Sequence, residues 1–182
     1  MKYYLIPLCA VLFISCQQKQ EMVIESINVL YYNYLFERIL AVDCNEIVPT
    51  PIECDTFLVG EVKVILRHGI LDTTIVDKNI LQEIANEIPF FKKEEDYGMD
   101  ARMKCYINFT NGNTDSLCIS ENPTYGYYND KPTRLTNKFV YLIRKNSGFY
   151  NWIYTRGVQS FEELNDTTFV RDKVISSTGE EY

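Results

Sequence analysis

Apolar positions recurring every three or four residues mark two helices. From Lys78 to Ile88 the stripe runs through Ile80, Leu81, Ile84, Ala85 and Ile88, with Asp77 placed to cap the first turn and Pro89 to stop the last. From Asn137 to Ser147 it runs through Phe139, Leu142 and Ile143. Thr136 is the cap there, Leu135 can staple against Val140, and Gly148 is the terminator. Arg144 and Lys145 suit the negative end of that helix's dipole.

The rest of the pattern is strand-like. Between Ile24 and Val42 a helical spacing competes with an abundance of Tyr and Val, and the composition predicts two strands with a turn near Asn33 to Glu37. The Pro49-Thr50-Pro51 segment is extended. Phe57 to Arg67 reads as one strand through Val62, Val64 and Leu66, with a turn at His68-Gly69 and a further strand from Ile70 to Val76. Lys92 to Asp96 reads as a solvated charged loop. Arg102–Phe109 and Thr114–Ser120 flank Asn111-Gly112, a strong hairpin signal. After the second helix, Tyr150, Trp152 and Tyr154 alternate like a final strand. The expected fold is therefore α+β, an antiparallel sheet of about six strands with two short helices packed on one face. It fills a single domain over residues 24–160, followed by a polar C-terminal tail over residues 161–182.

The hairpin bears on the cysteines. A two-residue loop sets Cys105 directly opposite Cys118, where a Cα separation of ~4.5 Å permits a disulfide. A three-residue loop instead matches Ile107 to Leu117 and Cys105 to Ile119, a better apolar face. Cys105–Cys118 is the candidate bridge, with buried free cysteines as the alternative; among Cys44, Cys54, Cys105 and Cys118 three full pairings are open. Zinc is disfavoured, because no Cys-x-x-Cys occurs and His68 is the only histidine.

The N-terminus reads as an address. Lys2 is followed by Leu5, Ile6, Leu8, Val11, Leu12, Phe13 and Ile14, an apolar run too short to span a bilayer and of secretory form. Phe13-Ile14-Ser15-Cys16 resembles the lipobox of bacterial lipoproteins. That resemblance implies a signal peptide over residues 1–15, lipidation of Cys16 and a linker over residues 16–23. Gln17 in place of Asp after the cysteine implies an outer-membrane lipoprotein. Gln17-Gln18-Lys19-Gln20-Glu21 is not strongly acidic, which favours the periplasmic face over the cell surface. The layout, through Asn79-Ile80-Leu81-Gln82-Glu83-Ile84 and Asn108-Phe109-Thr110-Asn111-Gly112 to Ser147-Gly148-Phe149-Tyr150, looks like small Bacteroidetes-type lipoproteins of unassigned function. No catalytic residue carries over from that group.

Composition narrows the chemistry. With 18 Lys+Arg against 25 Asp+Glu, the 182-residue chain has a formal charge of -7, which disfavours nucleic acid as a partner. No phosphate loop, Gly-x-Ser-x-Gly elbow, His-Glu-x-x-His helix or dinucleotide fingerprint occurs, and no cofactor is indicated. What stands out is tyrosine, at 14 residues. Tyr125, Tyr127 and Tyr128 fall in a segment that reads as a decorated loop, and with Trp152 they are the candidate binding residues for a protein or glycan partner. The favoured function is a non-catalytic binding or interaction domain held to the membrane by lipid on Cys16. The alternatives are a hydrolase of envelope polymer or glycan, built on a carboxylate pair or a groove at His68, and a purely structural envelope lipoprotein.

Overall fold

A computed structural model describes residues 23–32, 41–50, 53–59, 62–122, 124–152 and 161–170, with backbone alone for 53–59, 62–68 and 152. The lipobox, the second strand expected before Val42 and Tyr154 lie outside these residues, apart from Ala41 and Val42, which are not in a strand.

The strands are β1 (Ile24–Tyr32), β2 (Glu53–Val59), β3 (Val62–His68), β4 (Ile70–Ile75), β5 (Lys92–Lys93), β6 (Ala101–Phe109), β7 (Thr114–Ser120), β8 (Tyr125–Tyr128) and β9 (Lys131–Arg134). Seven of them form one antiparallel sheet in the order β4-β1-β6-β7-β8-β9-β5. With α1 (Lys78–Glu87) and α2 (Asn137–Asn146) this is an α+β architecture with one strand more than expected. β2 and β3 pair only with each other, so the single strand read from Phe57 to Arg67 is a hairpin, with Val59 opposite Val62. In the sequence, apolar residues on both sides of Gly60-Glu61 carry the alternation across the break between the two strands.

Alternation sorts the sheet's two faces. Ile27, Val29 and Tyr31 of β1 and Met103, Cys105, Ile107 and Phe109 of β6 share one buried cluster with Leu117 and Ile119 of β7. Leu81 and Ile84 of α1 and Phe139, Val140 and Ile143 of α2 join the same cluster. A bulge at Glu25 shifts the β1–β6 register, which lets the even-numbered Ile24 join the odd-numbered residues. A second, smaller cluster gathers Leu30, Ile70 and Ala101 with Val42 and Ile47 of the segment 41–50.

Both helix starts follow the expected caps. Asp77 accepts from the Asn79 and Ile80 amides at 2.9 and 3.2 Å. Thr136 accepts from the Phe139 amide at 3.1 Å and donates to Glu87 Oε2 at 2.8 Å, so the cap of α2 also ties it to the end of α1. Gly148 takes the left-handed conformation, φ 75, just past α2.

Three readings need correction. The β6–β7 loop has three residues, Thr110 to Gly112, with Gly112 at φ 84 and mutual contacts between Phe109 and Asn113 or Gly112 at 2.9 Å. It lies one residue earlier than the three-residue register considered above, so Cys105 faces Leu117 and Lys104 faces Cys118. Cys105 and Cys118 thus point to opposite faces; Cys118 bonds to Cys44, and Cys105 is a buried free thiol. Second, Phe149–Trp152 is a 3-10 turn, not a strand. Third, Phe161 to Val170 belongs to the fold: Phe161 is in the main cluster, and Glu163, fully buried, pairs with fully buried Arg144 at 2.5 Å. The guanidinium lies 4.8 and 4.9 Å from the rings of Phe149 and Phe161, and Tyr150 donates to Glu163 Oε1 at 3.1 Å. A segment that looks polar is held by Phe161 in the apolar cluster and by a buried ion pair.

Candidate functional site

The site lies on the face of Lys104, Tyr106 and Cys118, where the main cluster does not reach. Here β6 carries polar positions, Lys104, Tyr106 and Asn108, between its buried apolar ones. The cover is the segment 41–50, fixed at three points. The Val42 amide donates to Asp100 at 3.0 Å while its carbonyl accepts from Ala101 at 2.8 Å; Thr50 Oγ1 accepts from the Ile70 amide at 3.2 Å; and the Cys44–Cys118 bridge, with Cα atoms 6.1 Å apart, joins the middle to β7. Asp43 caps the short turn Cys44–Glu46 by accepting from the Asn45 amide at 2.8 Å.

The second wall is the segment 94–100, whose first three residues belong to the charged stretch Lys92–Asp96 that the sequence reads as a solvated loop. It is fastened to β8 by tyrosines and to β9 by the Glu94 amide, which donates to the Pro132 carbonyl at 3.1 Å. Tyr127 donates to Asp96, and Tyr125 Oη accepts from the Tyr97 amide at 3.2 Å and donates to the Glu95 carbonyl at 3.3 Å. Asp96 also accepts from the Gly98 amide at 3.0 Å, across a turn whose φ of 74 suits glycine. Tyr127 and that amide hold the Asp96 carboxyl below its ordinary range, while Asp96 pushes the Tyr127 hydroxyl above its own. Asp96 is thus an ionised acceptor, a poor general acid.

Between the walls opens a cleft of about 610 Å³, lined by Asp43, Asn45, Asp96, Lys104, Tyr106, Ser116, Tyr127 and Asp130 together with the disulfide. The Lys104 ammonium lies 5.3 Å from the centre of the Tyr106 ring and makes no ion pair with the cleft's carboxylates. A second hollow of about 460 Å³ lies across Gly98, with Tyr97, Asn122, Thr124, Tyr125 and Arg134 on its walls. Arg134 is 3.9 Å from Glu94 there. Among the described residues no group of three or more His, Cys, Asp or Glu is placed to hold a metal ion.

The candidate tyrosines are split. The segment Tyr125 to Tyr128 is a strand, because Asn129 and Asp130, at φ 48 and 60, form a tight hairpin turn into β9. Alternation then sends Tyr125 and Tyr127 to the cleft face and Tyr128 to the other, where its ring meets Phe91 at 5.5 Å and its hydroxyl donates to Asp115. Tyr125 is buried, with 8% of its surface exposed; its hydroxyl fastens segment 94–100, and its ring lies 6.1 Å from that of Tyr97. Tyr127 remains half-buried in the cleft. Trp152 closes the 3-10 turn after α2, and its side chain, like that of His68 at the end of β3, lies outside the described residues. Sequence reasoning missed Asp43, Asp96, Lys104 and Asp130. The polar alternation of β6 marks Lys104; nothing local marks the loop acids as neighbours.

No protein-family model matches the chain, and neither curated proteins nor solved structures give a significant match.

Proposed function

We propose that the chain is a lipid-anchored envelope protein whose folded part is a non-catalytic binding domain, with both helices covering one face of the sheet and the ligand seated on the other. The observation that carries the binding half is the cleft between segments 41–50 and 94–100. It falls within the ~300–1,000 Å³ usual for small-molecule sites and mixes aromatic rings with converging polar groups. The lipobox ending at Cys16 carries the anchoring half, and the outer membrane, on its periplasmic face, is the proposed location.

Two measurements test the halves separately. Intact mass of protein extracted from its native membrane is expected to fit a chain that begins at acylated Cys16. A mass fitting an unmodified chain from the same position overturns the anchor. Thermal shift against fractionated digests of envelope polymer is expected to raise the melting temperature in at least one fraction, and no response from any fraction overturns the binding domain.

A further inference from the structure

The cleft keeps its charges apart. Among the described residues, Asp43, Asp96 and Asp130 line it with a single cation, Lys104, and none of their carboxylate oxygens comes within ion-pair distance of that ammonium. Asp130 makes no hydrogen bond within the described residues, and Asp43 is occupied only by one backbone amide. A neutral ligand entering here strips water from these charges and returns no counter-charge, which is costly. A ligand with both signs repays both.

Resting on the binding reading above, we propose that the cleft takes a short basic peptide with a free C-terminal carboxylate. The carboxylate meets Lys104, the ammonium groups meet Asp43 and Asp130, and the peptide's aliphatic parts lie against Tyr106 and Tyr127. Cations outnumbering the anion in the ligand match carboxylates outnumbering the cation in the cleft. Asp96 is already engaged by Tyr127 and the Gly98 amide, so it shapes the wall.

The test is calorimetric titration of the intact chain with Ala-Lys-Ala, its C-terminal amide, and maltotriose as a neutral glycan probe, with amide NMR shifts locating each site. Ala-Lys-Ala is expected to bind and to move the amides of Lys104, Tyr127 and Asp130. Amidation is expected to weaken it about tenfold, the scale of one charge-assisted contact. Lys104→Met is expected to weaken the free acid alone, so that acid and amide bind alike, whereas Asp130→Asn weakens both. If acid and amide bind the parent equally, the assignment of Lys104 is overturned. If maltotriose moves the cleft amides and the peptide does not, the peptide is overturned and the binding domain survives. If neither probe moves them, the peptide is again overturned, and the thermal-shift screen alone then decides the binding domain.

Discussion

On one side of the sheet, Ile27, Met103 and Ile107 share a buried cluster with Leu81 and Ile84 of α1 and with Phe139, Val140 and Ile143 of α2, and the pair Arg144–Glu163 is fully buried as well. On the face that carries Lys104 and Tyr106, cover comes from segment 41–50, which contributes Val42 and Ile47 and is fixed by a disulfide and a few backbone contacts. The first face is closed by apolar burial, which is proportional to area and needs no special geometry. The second has too little apolar area to close this way, so it uses a covalent bond and tyrosine hydroxyls, and the space left between these fastenings is the cleft.

The largest expected effect breaks the first face. Glu163→Ala removes a fully buried carboxylate from beside fully buried Arg144, and the expected loss is about 3–5 kcal/mol in urea unfolding. Next, Cys44→Ser with Cys118→Ser opens a cross-link between positions separated by 74 in sequence. The expected loss is about 2–4 kcal/mol, from the released entropy of the unfolded chain. Reduction of the parent is expected to reproduce it, and an unchanged urea midpoint contradicts the role given to the bridge. Gly126→Ala sharpens the contrast at the boundary, because a Cβ there meets the Cys118 carbonyl of the neighbouring strand. Its expected cost is ~1–3 kcal/mol, as for other overpacked sites.

The titrations are smaller and separate the faces by cause. Tyr150 is raised chiefly by burial and by Glu163, Tyr128 by burial and Asp115, and Tyr127 by its bond to Asp96. Each favours the neutral phenol when folded. Its contribution is therefore complete below the ordinary tyrosine value of about 10 and is lost as pH rises toward the folded value. Absorbance titration is expected to show these three ionising late, with Tyr127 alone moving back toward ordinary behaviour on Asp96→Asn. Asp96 works in the other sense: its folded value is lowered, so its contribution is present above pH 3.8 and fades as pH falls through the lowered value. The smallest effect is Tyr127→Phe, expected to speed hydrogen exchange of the Gly98 amide with little change in melting temperature.

Local signals carried much of this into the sequence. Asp77, Thr136 and Gly148 place both helices because a cap acts on its own first or last turn, and Asn111-Gly112 locates a hairpin for the same reason. Exact register is harder, since a loop shift of one residue costs little locally yet turns Cys118 to the opposite face from Cys105. Asn129-Asp130 was a turn signal hidden by the tyrosines before it, which suggested a loop although they alternate as a strand. Glu163 and Asp96 were unreadable for a different reason: each takes its meaning from a partner 19 or 31 residues away, and no spacing announces such a meeting. The cleft is made of such meetings.

The carboxylates of Asp43 and Asp130 should matter to a ligand and not to the fold. The direct measurement is the Asp43→Asn, Asp130→Asn double variant, in which asparagine can keep both the cap at 43 and the left-handed turn at 130. The account predicts unfolding free energy within ~0.5 kcal/mol of the parent, the range of ordinary surface changes, together with lost binding of Ala-Lys-Ala. A clear loss of stability, or peptide binding left intact, would contradict it.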